Sequence, residues 1–198
     1  MRGVILGSAS PRRRLLLEEA GWQVEQRPPA IDDGLLEIDA GTPETTVAAL
    51  AWFKAAQIAP PEGGSVAAIA ADTVCAVGGR ILGKPRDLDE ASAMLRLLAG
   101  GRHRTLTGVC VLDRAARRRM FVDASIVTVG DLEDAQIEAY LATDAWADKA
   151  GGYNLADRIA AGWPIHCEGD PTTVMGLPMR RLVPMLEAMT GPDGREGS

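Results

Sequence analysis

The stretch from Ser65 to Val77 constrains this chain more tightly than any other, because Val, Ile and Ala fill it and yet Asp72 stands within it. A short, nearly continuous apolar run reads as a central strand covered on both faces. Gly78-Gly79 then turns the chain into a second short strand around Ile81-Leu82. A carboxylate inside such a strand is costly to bury alone, so Asp72 has to face something polar. It is either a structural group bonded to nearby backbone, or a chemical one that holds a divalent cation or takes a proton from water. The hairpin favours the second reading, since it is expected to bring Lys84 of Leu82-Gly-Lys-Pro85 back beside Asp72.

The start of the chain offers a second candidate. Gly3-Val-Ile-Leu-Gly7 reads as a buried strand that stops at a turn, and Ser8-Ala-Ser10 as a loop. Ser10 is a good N-cap, Pro11 suits the first helical position, Leu15 to Leu17 supply an apolar face, and Gly21 closes the helix. Ser8, Ser10, Arg12 and Arg13 therefore gather at a strand-to-helix junction. Unpaired helix N–H groups and the positive end of the dipole favour an anion there. Arginine adds a planar fork that can grip two phosphate oxygens at once. Taken alone, the same motif is also a capped surface helix with a solvated basic first turn, and Arg14 fits that description.

The remaining elements alternate. Trp22 to Arg27 predicts a strand, and Ile31-Asp32-Asp33 follows in a loop where the two aspartates could complete a metal site or simply form an Asx-type turn. Thr42-Pro43 opens a long helix to about Ile58 that carries Lys54. Asp87-Leu-Asp-Glu90 has the capping-box pattern and starts a helix ending near Gly100-Gly101. Thr105 to Leu112 and Phe121 to Val129 read as long strands, with Arg114 to Arg119 as their turn. A helix over 133–142, an irregular glycine-rich region over 149–163, a strand near 165–168 and a helical close over 176–189, kinked by Pro184, complete the reading. Alternating strands and helices interrupted by a long hairpin make the class mixed α/β.

Composition narrows the function. A chain of 198 residues with 46% apolar and 24% charged residues is an ordinary globular protein with one core, here expected over residues 1–190 with a polar tail over 191–198. A net charge of −6 argues against a nucleic acid polymer as partner, whereas a small polyphosphate needs only a local cationic pocket. Cys75, Cys110 and Cys167 are scattered and odd in number, which points to buried thiols. His103 and His166 are isolated and read as structural. No apolar run is long enough for a secretion signal or a membrane span, so a cytoplasmic location is expected. Gly151-Gly152 and Gly176-Leu-Pro178 match neither dinucleotide fingerprint nor P-loop and read as backbone punctuation.

Together these motifs resemble the Maf family of nucleoside triphosphate pyrophosphatases, linked in name to bacterial septum formation. The resemblance rests on Leu6-Gly-Ser-Ala-Ser-Pro-Arg-Arg13, Ile31-Asp-Asp33, Lys54-Ala55, Ala71-Asp-Thr-Val74, Ile81-Leu-Gly-Lys-Pro85, Leu98-Ala-Gly100 with His103, Thr107-Gly-Val109, Asp148-Lys-Ala-Gly151 with Tyr153, and Gly176-Leu-Pro178. It implies a curved mixed sheet in two lobes around a cleft, similar to inosine triphosphate pyrophosphatases, often as a homodimer. It implies hydrolysis of a nucleoside triphosphate to monophosphate and pyrophosphate with a divalent cation, Mg or Mn. Arg13, Lys54, Asp72 and Lys84 are the implied catalytic residues, Ser8, Ser10, Arg12, Asp33 and Thr73 the implied substrate-binding ones, and Asp72 with Asp33 the implied metal ligands. The sequence departs from the family at two places. Asp33 stands where glutamate is usual, and Leu155-Ala156-Asp157 stands where the family reads Ile-Gln-Gly, so Ala156 replaces an active-site amide that Asn154 or Asp157 could supply. A nucleotide-binding regulator of cell division with little or no turnover is therefore the alternative.

Overall fold

The computed structural model describes residues 2–31 and 41–190. The predicted Asp32-Asp33 site and the polar tail at 191–198 lie outside the described residues. The strands are β1 (Gly3–Leu6), β2 (Gln23–Gln26), β3 (Ser65–Val77), β4 (Arg80–Leu82), β5 (Arg102–Asp113), β6 (Arg118–Val129) and β7 (Ile165–Glu168). The helices are α1 (Pro11–Glu19), α2 (Pro43–Ala56), α3 (Leu88–Leu98), α4 (Asp134–Leu141), α5 (Leu155–Ala160), α6 (Pro171–Val174) and α7 (Met179–Ala188). The seven strands form one open sheet in the order β2-β1-β3-β5-β6-β7, with β4 paired to β3. The sheet is mixed, as expected: β1 runs parallel to β2 and β3, while β4 and β7 run antiparallel to β3 and β6.

Contacts divide the chain into two compact units. The first takes the chain up to Asp72, Thr107–Asp123 and the chain from Gly176 onward. Its core holds Ile5 of β1, Ala51, Ala55 and Ile58 of α2 and its exit, Ala68 and Ala70 of β3, and Cys110 and Leu112 of β5. Val47, Ala51 and Ala55 recur every fourth residue and are buried, so α2 turns a stripe of small side chains to the sheet. The backbones come close at Gly108, where a Cβ would stand 2.3 Å from the Val47 carbonyl oxygen. Thr42 starts this helix with a capping box, its Oγ1 accepting from Thr45 N at 3.2 Å and Thr45 Oγ1 from Thr42 N at 3.1 Å.

The second unit takes Thr73–Leu106 and Ala124–Met175. Its core is built from α3, α4 and aromatic side chains, with the Tyr140 and Trp163 rings edge to face at 5.3 Å and the Arg158 guanidinium 4.2 Å above Tyr140. His103 is buried in the same unit, and its Nε2 lies 2.7 Å from the Tyr153 hydroxyl. Burial holds this imidazole down at a pKa of about 4 and pushes the Tyr153 hydroxyl and the Cys75 thiol up, the thiol to about 12. His103 and Cys75 are therefore neutral packing groups near neutral pH. All three cysteines are free thiols, Cys75 and Cys110 buried and Cys167 half-buried.

Several local expectations change. The glycine-rich region over 149–163 contains a short 3-10 turn (Ala150–Gly152) and α5, which begins because Asn154 Oδ1 accepts from Ala156 N at 3.1 Å. Asp170 caps the short α6 in the same way. Arg118 and Arg119 belong to β6 rather than to the turn, which is confined to residues 114–117. Half the expected capping box forms at α3: Asp87 Oδ1 accepts from Glu90 N at 2.8 Å, but Glu90 accepts instead from the Arg86 backbone N–H. Pro184 falls inside α7 without ending it. Among the described residues no helix is long and apolar enough to cross a membrane.

Two predictions follow from this packing. Gly108→Ala should lower stability by about 1–3 kcal/mol, since its Cβ meets backbone rather than a flexible side chain; urea denaturation checks this. His103 has a folded pKa below its unfolded value, so its contribution is complete above about pH 6.5 and is lost as pH falls towards about 4. Between pH 7.5 and 4.5 the parent should lose about 2–3 kcal/mol more than His103→Gln, measured by urea denaturation at both pH values.

Candidate active site

The site is built first on β1 and α1. Parallel pairing carries Leu6 opposite Ile69, and Gly7 N donates to the Ile69 carbonyl at 2.7 Å before the chain leaves the sheet. Ser8 follows at once and is buried. Its carbonyl accepts from Gln26 Nε2 at 2.9 Å, and its Oγ accepts from Ser10 N at 3.2 Å and from Arg13 Nη1 at 3.3 Å. Ser10 caps α1, with Arg13 N 3.5 Å from its Oγ, and Pro11 occupies the first helical position. Arg12 and Arg13 lie in the first turn, both half-buried. Arg13 Nε donates to the Gly176 carbonyl at 2.9 Å. Arg14 is exposed and paired with Glu18 at 2.7 Å, so the solvated-surface reading applies to it.

Asp72 is reached along the neighbouring strand. Lys54 on α2 donates from Nζ to Asp72 Oδ1 at 2.6 Å, and the two side chains are only 14% and 12% exposed. This ion pair answers the burial problem posed by the sequence. Its cation comes from α2 and not from the hairpin that was expected to supply it. Register relates this pair to the α1 head: Ser8 is two residues beyond Leu6, and Asp72 three beyond its partner Ile69. Both groups thus lie just past the end of the β1–β3 pairing, Ser8 in the loop that leaves β1 and Asp72 midway along the longer β3. Thr73 follows Asp72 on β3, is half-buried, and by strand alternation turns to the opposite face.

Lys84 belongs to the second unit. It is 67% exposed, and its Nζ lies 3.8 Å from Asp148, a surface pair of little energetic weight. Gly151 N donates to the Gly83 carbonyl at 2.9 Å, which fastens the segment after Asp148 to the exit of β4. Asn154 donates to Asp157 Oδ2 at 2.6 Å while capping α5 with its own oxygen. The amide and carboxylate next to Ala156 are thus bonded to one another, and Ala156 itself is exposed. Among the described residues no group of three or more His, Cys, Asp or Glu side chains could hold a metal ion. Sequence reasoning missed two partners, Lys54 for Asp72 and the Gly176 carbonyl for Arg13. The first was signalled by a lysine late in a helix that precedes the apolar strand; a backbone acceptor more than 160 residues away leaves no comparable signal.

The sheet thus carries two features, a helix start bearing Arg12 and Arg13 and a carboxylate–lysine pair on β3. The family profile described as Maf-like protein matches residues 3–189, and the chain belongs to that family. It is 40% identical over 186 residues to a dTTP/UTP pyrophosphatase of Salinibacter ruber, covering 93% of this chain and 90% of that one. It is also 40% identical to proteins of the same name from Geobacillus sp., over 92% and 96% of the two chains, and from Roseobacter denitrificans, over 93% and 95%. Among solved structures, a nucleoside-triphosphatase / dITP/XTP pyrophosphatase from Mycobacterium abscessus overlaps 66% of this chain and 75% of its own at 11% identity and a TM-score of 0.40, a likeness that bears no weight here.

The Lys54–Asp72 pair has a measurable energetic signature. Asp72→Asn is nearly isosteric, and shape alone would leave folding untouched. It removes the negative charge facing a mostly buried ammonium, however, and should lower stability by about 1–3 kcal/mol. With Lys54→Met already in place the same change should cost much less. Urea denaturation of the four proteins closes the cycle, and equal costs in both backgrounds would mean that the two charges are not coupled.

Proposed function

We propose that this chain hydrolyses nucleoside triphosphates, with dTTP and UTP foremost, to nucleoside monophosphate and pyrophosphate in the cytoplasm. The observation that carries this reading is a lysine-paired carboxylate on β3, three residues beyond the register position at which β1 gives way to the arginine-bearing start of α1. The names of the relatives supply the substrate class.

In this reading Ser8, Ser10 and the positive end of the α1 dipole face the phosphates, and Arg12 and Arg13 neutralise and orient them. Asp72 takes the proton of a water that attacks the α-phosphorus. The bond from that phosphorus to the bridging oxygen breaks, and pyrophosphate leaves. Lys54 holds the Asp72 carboxylate in place through their ion pair, and by the family resemblance Lys54 and Lys84 also offset charge on the triphosphate. Thr73 and Asp33 are assigned to substrate on that resemblance alone. Catalysis is then mainly positioning and electrostatic stabilisation.

The family resemblance implies a divalent cation. Magnesium commonly uses one or two protein carboxylates with substrate phosphates completing its shell, so a three-residue protein cluster is not required. Asp72 would hold such an ion, with Asp33 as the second carboxylate. When bound, the cation supplies charge neutralisation on the phosphates.

Ala156 keeps one other reading in view, a nucleotide-binding regulator with little turnover, because the family's amide is absent and Asn154 and Asp157 are engaged with each other. Enzymatic detection of pyrophosphate and of orthophosphate over a panel of nucleotides, with and without magnesium or manganese, separates the two. The enzyme reading expects pyrophosphate from dTTP and UTP, and a loss of roughly two to four orders of magnitude in Asp72→Asn. Binding without pyrophosphate release supports the regulator, and orthophosphate release alone contradicts attack at the α-phosphorus.

A further inference from the structure

The Arg13 guanidinium is held from two directions by chain distant in sequence and near in space. Nε donates to the Gly176 carbonyl at 2.9 Å and Nη1 to Ser8 Oγ at 3.3 Å. A planar fork fixed through two of its nitrogens has a defined plane as well as a defined place, which a point charge lacks. Gly176 meets a second condition as well. Its φ of +106° lies in the left-handed region, and a Cβ added there would stand 2.9 Å from Arg13 Nε and 3.5 Å from both Cγ and Nη2. The first thing a side chain at 176 would strike is therefore Arg13. Leu177 and Pro178 are buried, and they lead directly into α7, so the carbonyl that accepts from Arg13 belongs to an anchored segment.

Resting on the assignment of Arg13 to the triphosphate, we infer that Gly176 is a positioning residue for the reaction. Its carbonyl aims the Arg13 fork, and its lack of a side chain leaves the space the fork occupies. Gly176-Leu-Pro178 is then a working part of the site, not merely a turn before the last helix. A purely structural glycine would behave differently, since its replacement would affect activity to the same degree whatever stood at position 13.

The test is a double-mutant cycle of Gly176→Ala and Arg13→Ala, reading kcat and KM for UTP by pyrophosphate release, with Tm recorded for every protein. Arg13→Ala should lower kcat/KM by about a hundredfold or more, the usual consequence of losing one preorganised donor. Gly176→Ala should lower it by roughly ten- to a hundredfold, chiefly in kcat, as a displacement of about 1 Å in a positioning group does. In the Arg13→Ala background, Gly176→Ala should change kcat/KM by less than about threefold, because the group it acts through is gone. Equal losses in both backgrounds, or no loss in the native one, overturn the inference. An Arg13→Ala protein as active as the parent is a different failure, for it removes Arg13 from the proposed function itself. Should Gly176→Ala yield no folded protein, Arg13→Lys carries the test: activity as low as that of Arg13→Ala supports a requirement for the aimed fork, and activity within about threefold of the parent overturns it.

Discussion

A carboxylate cannot be threaded through the middle of an apolar strand without a partner, and the Lys54–Asp72 pair is how this chain meets that constraint. To deliver Lys54, α2 has to lie almost against the sheet. It does so by presenting alanine and valine inward and by crossing β5 where Gly108 leaves room for its backbone. The small residues of the first unit's core are thus conditions for the ion pair as much as products of packing. The pair holds the Asp72 carboxylate beside a cation with both side chains largely withdrawn from solvent, where charge interactions are stronger than at the surface.

Parallel pairing of β1 with β3 does the rest of the assembly. The same register that buries Val4, Ile5 and Leu6 brings the chain to Ser8 and the head of α1 just beyond Ile69, three residues before Asp72 on β3. The positive end of the α1 dipole favours negative charge there, and Arg12 and Arg13 add cationic donors in that first turn. The neutral groups buried in the second unit have another role. His103, Tyr153 and Cys75 are kept uncharged by burial and form packing around the segment after Asp148.

Much of this was legible in the sequence because local rules wrote it there. The strand at Gly3–Leu6, the cap and proline that open α1 and α2, the long strand through Asp72 and the β5–β6 pair all follow from periodicity, capping and turn chemistry acting within a few residues. Ser8, Ser10, Arg12, Arg13 and Asp72 could be named from the same motifs, whereas Lys54 and Thr73 received their roles from the family resemblance. What could not be read was which of them touch. Asp72 found its cation on the preceding helix, Lys84 met Asp148, and Arg13 found a backbone carbonyl at Gly176, contacts that depend on tertiary placement and carry no local signature. The helix α5 escaped for a related reason: glycines at 151 and 152 mark a turn, and only the side-chain cap of Asn154 restarts helical structure directly after it.

The proposed chemistry depends on where water attacks. Hydrolysis of UTP in water enriched in the heavy oxygen isotope, followed by mass spectrometry of both products, reports this directly. Attack at the α-phosphorus, with Asp72 as the proton acceptor, places the heavy oxygen in the nucleoside monophosphate and leaves the pyrophosphate unlabelled. Label in the pyrophosphate would mean attack at the β-phosphorus and would contradict the arrangement of roles assigned to Asp72, Arg12 and Arg13.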